Sequence, residues 1–303
     1  MDRNAPDTYC EANAASSLHD TELLIKWFAD EMPSRIQPAI TPRFVPTCSI
    51  ELLRGLGVLA KKYKVLVTSH MSESDDMVSF VAALHPEKRD CSILQEAGIL
   101  SAPSAIMAHC THLTDEELHI LANQGGTIAH CPLSNFFFAD RSLRLRHVMR
   151  QGVRVSLGTD VAGGYSPSML SAMRAAVLAS RCVVHAEKMR LRSCLTPSEN
   201  ATQKMDDEER IKCSAEEHGL TYKQAFWLAT IGGADAIGMR DSLGSFSPGK
   251  LFDALEIDLS TPATFDRFDT DSLDDLFQKF INLGDDRNIR RVWVEGNEVT
   301  QRI

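Results

Sequence analysis

Apolar positions along this chain fall into short β-branched runs separated by longer amphipathic stretches. Ile36–Thr41, Lys64–Ser69 (KVLVTS), Ala105–Ala108, Thr127–Ala129 and Val153–Leu157 read as strands. Helical periodicity fills the intervals, and the starts carry capping signals. Ser49 precedes IELLRGLGVLAKKYK, and Thr114-Asp-Glu-Glu117 is a capping box ahead of ELHILANQ, stopped at Gly125-Gly126. Ser166-Pro167 opens SMLSAMRAAVLAS, with proline where a first turn needs no N–H. Thr221-x-x-Gln224 opens YKQAFWLATI, with an end expected at Gly232-Gly233.

Strand–helix alternation of this kind predicts parallel strands joined by right-handed crossovers. A (β/α) barrel collects the strand ends on one rim; here those ends carry Arg43, His70, His109, His130 and Asp160. A doubly wound open sheet is the competing architecture, but no G-x-G-x-x-G follows a strand. Residues 183–218 are polar and charge-dense and read as a partly flexible surface insertion. After about Leu243 the pattern becomes strands and turns, with Glu295-Gly296-Asn297 as a hairpin turn. The expected division is therefore a barrel portion over 1–242, with the insertion at about 183–218, and a β appendage over 243–303.

Composition narrows the function classes. The 303 residues carry 32 Lys+Arg against 41 Asp+Glu, a formal charge of −9, which disfavours binding to nucleic acid or an anionic membrane through bulk charge. No run approaches the ~18 consecutive apolar residues of a membrane span. The eight cysteines form no C-x-x-C, and the first residues are polar and mixed; reduced thiols and a cytoplasmic location are the expectation.

Four motifs carry chemistry. Thr68-Ser69-His70-Met71-Ser72-Glu73 puts an imidazole at a strand end with a carboxylate three residues on. A neutral imidazole ligates zinc or iron, and a nearby non-ligating Glu can shuttle protons; a loop-capping His fits the same spacing. Leu157-Gly-Thr-Asp160-Val-Ala-Gly-Gly164 delivers a carboxylate into a glycine-rich turn, for a metal or merely for a helix cap. Ala108-His109-Cys110 offers a second strand-end imidazole. Thr41-Pro-Arg43-Phe44 suits a planar polar ligand, with paired N–H donors from Arg43 and a stacking ring from Phe44; a rim salt bridge and a core Phe fit equally. His130 reads as structural, holding the loop Pro132–Asn135, whereas His112, His119 and His147 read as solvated. His185-Ala-Glu187 matches H-x-E of zinc deaminases, but no P-C-x-x-C follows.

The order of these motifs on successive strands resembles the amidohydrolase superfamily. Within it, TPRF, SHMSE, MAHC, IAHCPLSN, LGTDVAGGYSPSML, LATIGGADAIG, GSFSPGKLFDAL and LGDDRNI resemble the guanine deaminases, as does MDRNAPD at the start. That resemblance implies a TIM-like (β/α) barrel, here incomplete, with a small C-terminal β appendage. It implies hydrolytic deamination of guanine with one zinc ion. His70 and Asp160 would be metal ligands, Asp160 also the base, Glu73 the proton shuttle, and His109 a catalytic aid. Arg43 and Phe44 would hold the purine, in contact with His70, Glu73 and Asp160. A homodimer is also implied. The family's H-x-H, which supplies two further ligands, has no counterpart in this sequence. The matching motifs correspond to the back two-thirds of the family's length. The expectation is an N-terminally truncated form that does not deaminate guanine alone; a non-catalytic binding protein and a deaminase of another aminopurine or pterin are the alternatives.

Overall fold

A computed structural model describes residues 1–32, 36–194, 201–261 and 264–300, with backbone only for 201–204. The elements alternate through most of the chain. They are α1 (Ala14–Glu31), β1 (Ala39–Ile40), α2 (Ile50–Tyr63), β2 (Leu66–Met71), α3 (Asp75–Leu84), α4 (Asp90–Glu96) and β3 (Ala105–His109). α5 (Asp115–Asn123), β4 (Thr127–His130), α6 (Pro132–Phe138), α7 (Leu145–Arg150), β5 (Arg154–Leu157) and α8 (Met169–Ser193) follow. The rest comprises α9 (Ala201–Glu216), α10 (Tyr222–Ala229), α11 (Ile231–Ala236), β6 (Ala254–Ile257), α12 (Leu273–Leu283), β7 (Ile289–Val294) and β8 (Asn297–Glu298).

β1 to β5 form one sheet in sequential order, every pair parallel. Sequential parallel order with a helical crossover at each step is the geometry that brings all strand C-termini to one rim. Val67, Met71, Met107 and Ile128 are fully buried in the sheet, and Leu52, Leu53, Leu94 and Leu121 pack over it from the helices. β6, β7 and β8 make a separate antiparallel sheet with a register shift at Glu256/Ile257. The expected hairpin turn forms with two residues, Glu295 and Gly296, both left-handed at φ 50° and 79°, and Asn297 belongs to β8.

The capping boxes at Thr114 and Thr221 form as the spacing predicts. Other boundaries differ. β1 is only two residues, and β2 starts at Leu66 because Lys64 ends α2 in a left-handed conformation, its N–H donating to the Ala60 carbonyl. α8 starts at Met169, not at Pro167. Gly232 and Gly233 do not stop a helix; they lie inside α11. A Cβ on Gly232 would sit 2.8 Å from the Val155 carbonyl oxygen, so glycine here permits the close approach of α11 to β5.

The described part of 183–218 is helical. Its charges pair: Arg192 with Glu208 at 2.7 Å and Lys188 with Glu216 at 2.9 Å across α8 and α9, and Arg190 with Glu187 one turn apart. Residues 195–200 of that stretch lie outside the described residues. The C-terminal region holds α12 as well as strands; Ser272 caps it, and it packs on α8 and α10 through Phe280 and Ile281. Among the described residues, α8 is long and apolar enough to cross a membrane by length and composition, but Ala172, Ala176 and Ala179 are buried against its neighbours.

Candidate active site

Four strand ends build one pocket. Registers Met71↔His109 and His70↔Ala108 align the ends of β2 and β3. Strict alternation would put His70 and His109 on opposite faces of the sheet. His109 and Cys110 are left-handed, at φ 68° and 55°, which breaks the alternation at the last residue of β3. The two imidazoles consequently stack, with ring centroids 5.4 Å apart. Ser72 and Asp160 are left-handed as well, at φ 46° and 48°. Non-glycine residues in this region are strained by about 1–3 kcal/mol each and concentrate at functional sites. The glycine-rich turn after β5 has a steric reason: a Cβ on Gly163 would lie 2.6 Å from Asp160 Oδ2.

Hydrogen bonds fix which nitrogen faces the pocket. His70 Nδ1 lies 2.7 Å from the Arg43 carbonyl, which only accepts, so Nδ1 carries the proton and Nε2 keeps its lone pair. His109 Nδ1 lies 2.9 Å from Asn135 Oδ1, and its Nε2 faces the pocket. That Nε2 is buried without a hydrogen-bond partner, 3.5 Å from Glu73 Oε1 and 3.9 Å from Asp160 Oδ2. One donor atom each from His70, His109 and Asp160 lie within 4.8 Å of one another. Two imidazoles and a carboxylate are a donor set that zinc accepts, and the orphaned Nε2 is the atom such an ion would satisfy.

The cavity above them measures about 460 Å³ and is lined by Arg43, Phe44, His70, Glu73, His109, Ser134, Phe138, Asp160, Ala162 and Gly163. The volume suits a small planar molecule. Arg43 is exposed at the rim with its guanidinium 6.0 Å from the Phe44 ring, and Phe138 is 57% exposed at the mouth. The floor behind is buried, with His130 1% and Cys131 4% exposed. Burial, reinforced by His109, pushes the His130 pKa down to about 3; burial pushes the Cys131 thiol up to about 12, with Asp160 and Glu73 adding to it.

The amidohydrolase family model matches residues 1–299. The chain belongs to the amidohydrolase family. Relatives in the family include the guanine deaminase of Dictyostelium discoideum, 35% identical over 300 residues that cover 99% of this chain and 60% of that protein. The guanine deaminase of Escherichia coli (strain K12) is 32% identical over 306 residues, covering 100% of this chain and 61% of its own length. Among family structures, guanine deaminase from C. acetobutylicum with bound guanine superposes at a TM-score of 0.82 and 34% identity, covering 99% of this chain and 64% of that one. The chain therefore spans about three fifths of the length of these relatives.

All six residues singled out in the sequence, Arg43, Phe44, His70, Glu73, His109 and Asp160, line this one pocket. His109 enters the donor cluster alongside His70 and Asp160, where two ligands had been expected. His112 differs from its expectation: only 7% of its side chain is exposed, with Nδ1 2.6 Å from Thr111 Oγ1 and Nε2 3.1 Å from Asp75. Sequence reasoning missed three contributions. The Arg43 carbonyl holds His70, accepting from its backbone N–H at 3.0 Å and from its ring. Ser134 brings a buried hydroxyl without a partner to the wall. Asp90 accepts from the Ser72 N–H and, at 2.7 Å, from its hydroxyl, pinning the loop that carries Glu73. No local motif marks a carboxylate that far along the chain.

Proposed function

We propose that this pocket deaminates guanine hydrolytically to xanthine and ammonia. The observation that carries the reading is the convergence of Arg43, Phe44, His70, Glu73, His109 and Asp160 on one cavity. The guanine deaminase relatives, and the solved relative with bound guanine, support the choice of substrate. Arg43 donates paired N–H groups to the purine carbonyl and a ring nitrogen, and Phe44 stacks on the ring. One zinc ion held by His70, His109 and Asp160 would supply Lewis acidity and lower the pKa of water toward neutrality. Asp160 takes a proton from the attacking water as its oxygen bonds to the amidine carbon. Glu73 delivers its proton to the adjacent ring nitrogen, takes up the hydroxyl proton of the tetrahedral carbon and passes it to the amino group; the C=O forms as the C–N bond breaks and ammonia leaves, and the proton held by Asp160 returns to Glu73.

The test is a substrate panel of guanine, another aminopurine, a pterin and an aminotriazine. It is run with the zinc-supplemented 303-residue chain, alone and joined to the segment that precedes the matched region in a guanine deaminase relative. Ammonia release from guanine well above the others is expected. Preference for another ring, or inactivity of both forms toward guanine, overturns the reading. Light scattering on the same samples tests the homodimer that the resemblance implies.

A further inference from the structure

Asn135 is 1% exposed, in the middle of α6, and its amide bridges two histidines of different strands. Oδ1 lies 2.9 Å from His109 Nδ1, and Nδ2 lies 3.4 Å from His130 Nδ1. The backbone holds the amide in place: its N–H donates to the Cys131 carbonyl at 2.9 Å, and its carbonyl accepts from Ala139 and Arg141 at 3.2 and 3.3 Å. His130 is buried and neutral, so its Nδ1 can accept only if its proton sits on Nε2. In the orientation seen, the Asn135 NH₂ is directed at His130 and the amide oxygen at His109. An oxygen facing Nδ1 of His109 requires a proton there and leaves Nε2 a lone pair.

We propose that Asn135 is a positioning residue: it fixes the Nδ1–H tautomer of His109 and aims the Nε2 lone pair into the space shared with His70 and Asp160. A flipped amide would do the reverse, directing an Nε2–H at Glu73. The chemistry assigned to that lone pair rests on the guanine-deaminating reading, but the tautomer does not.

The test is a two-bond ¹H–¹⁵N spectrum of the ¹⁵N-histidine-labelled 303-residue chain at pH 7.5, with His109 assigned by substitution. The wild type is expected as the Nδ1–H form. Asn135→Asp keeps an oxygen acceptor and is expected to keep that form; Asn135→Leu is expected to lose it. Zinc affinity, read by competition with a chromophoric chelator, should fall about 10–100-fold in Asn135→Leu and stay within about threefold in Asn135→Asp. A merely structural role would lower the melting temperature of Asn135→Leu and leave tautomer and zinc affinity unchanged, which overturns the proposal. If Asn135→Leu does not fold, the wild-type and Asn135→Asp spectra decide, and an Nε2–H wild type overturns it. An Nδ1–H wild type with no guanine turnover would refute the proposed substrate and leave this inference standing.

Discussion

The two sheets of this chain solve different problems. In the parallel sheet, Val67, Met71, Met107 and Ile128 are all 0% exposed, and the strand ends above them carry left-handed, polar, chemically capable residues. In the antiparallel sheet neither β6 nor β7 contains a buried residue; Leu255 is 52% exposed, and Phe246 and Leu273, which line the same groove from outside the sheet, are 75% and 79% exposed. Interiors packed like crystals tolerate little displacement, so strain can be held at their edges. Placing an imidazole nitrogen against a carboxylate to within a few tenths of an ångström needs such a base. The small sheet has no such base and places no residue in the pocket.

That contrast predicts where substitutions act on chemistry and where on stability. The largest effect belongs to the rim. Glu73→Gln keeps size and removes the exchangeable charge, so guanine turnover should fall about 10²–10⁴-fold in the form that releases ammonia. Its melting temperature should stay within about 2 °C, because the side chain is partly exposed. Parallel losses of turnover and stability would instead make Glu73 part of the packed base.

Acid should attack the base through His130. Its pKa is about 6.5 when unfolded and about 3 in the fold, so the folded state binds fewer protons. The stability this neutral ring retains is present above pH 6.5 and is lost as pH falls toward 3. At 1.36 kcal/mol per unit the loss reaches about 3 kcal/mol by pH 4. Urea titrations of the wild type and His130→Asn at pH 7 and pH 4 read it. The variant should lose markedly less stability on acidification, and equal losses would show that His130 is not the titrating group.

Much of this architecture is legible in the sequence, for identifiable reasons. Caps at Thr114 and Thr221 and the β-branched runs act through neighbours a few residues apart, and the structure honours them. His70, His109 and Asp160 are legible as a group because parallel order brings every strand end to one rim. What failed depends on contacts across the fold. Gly232 reads as a stop, yet it serves the approach of α11 to β5. That several charges of 183–218 pair across α8 and α9 is not marked by any spacing in the sequence. Asn135 and Asp90 act through side chains that meet partners from other elements, and no periodicity encodes that.

A paired truncation compares the two sheets directly, and its antiparallel half is the smallest effect. Leu94 in α4 is 0% exposed within the main core, and Leu94→Ala should cost about 2–5 kcal/mol, with the upper end if the cavity fails to collapse. Leu255 on β6 pairs with Val292 and is already half in water. Full burial of a leucine contributes about 1.5–3 kcal/mol, so half-burial leaves about 1 kcal/mol to lose, and the lower strand propensity of alanine adds a few tenths. Denaturant midpoints at equal m-values give both numbers. A Leu255→Ala cost near that of Leu94→Ala would mean that the antiparallel sheet is covered in solution. The exposed apolar face would then be an interior surface, and the contrast between the two sheets would belong to the isolated chain alone.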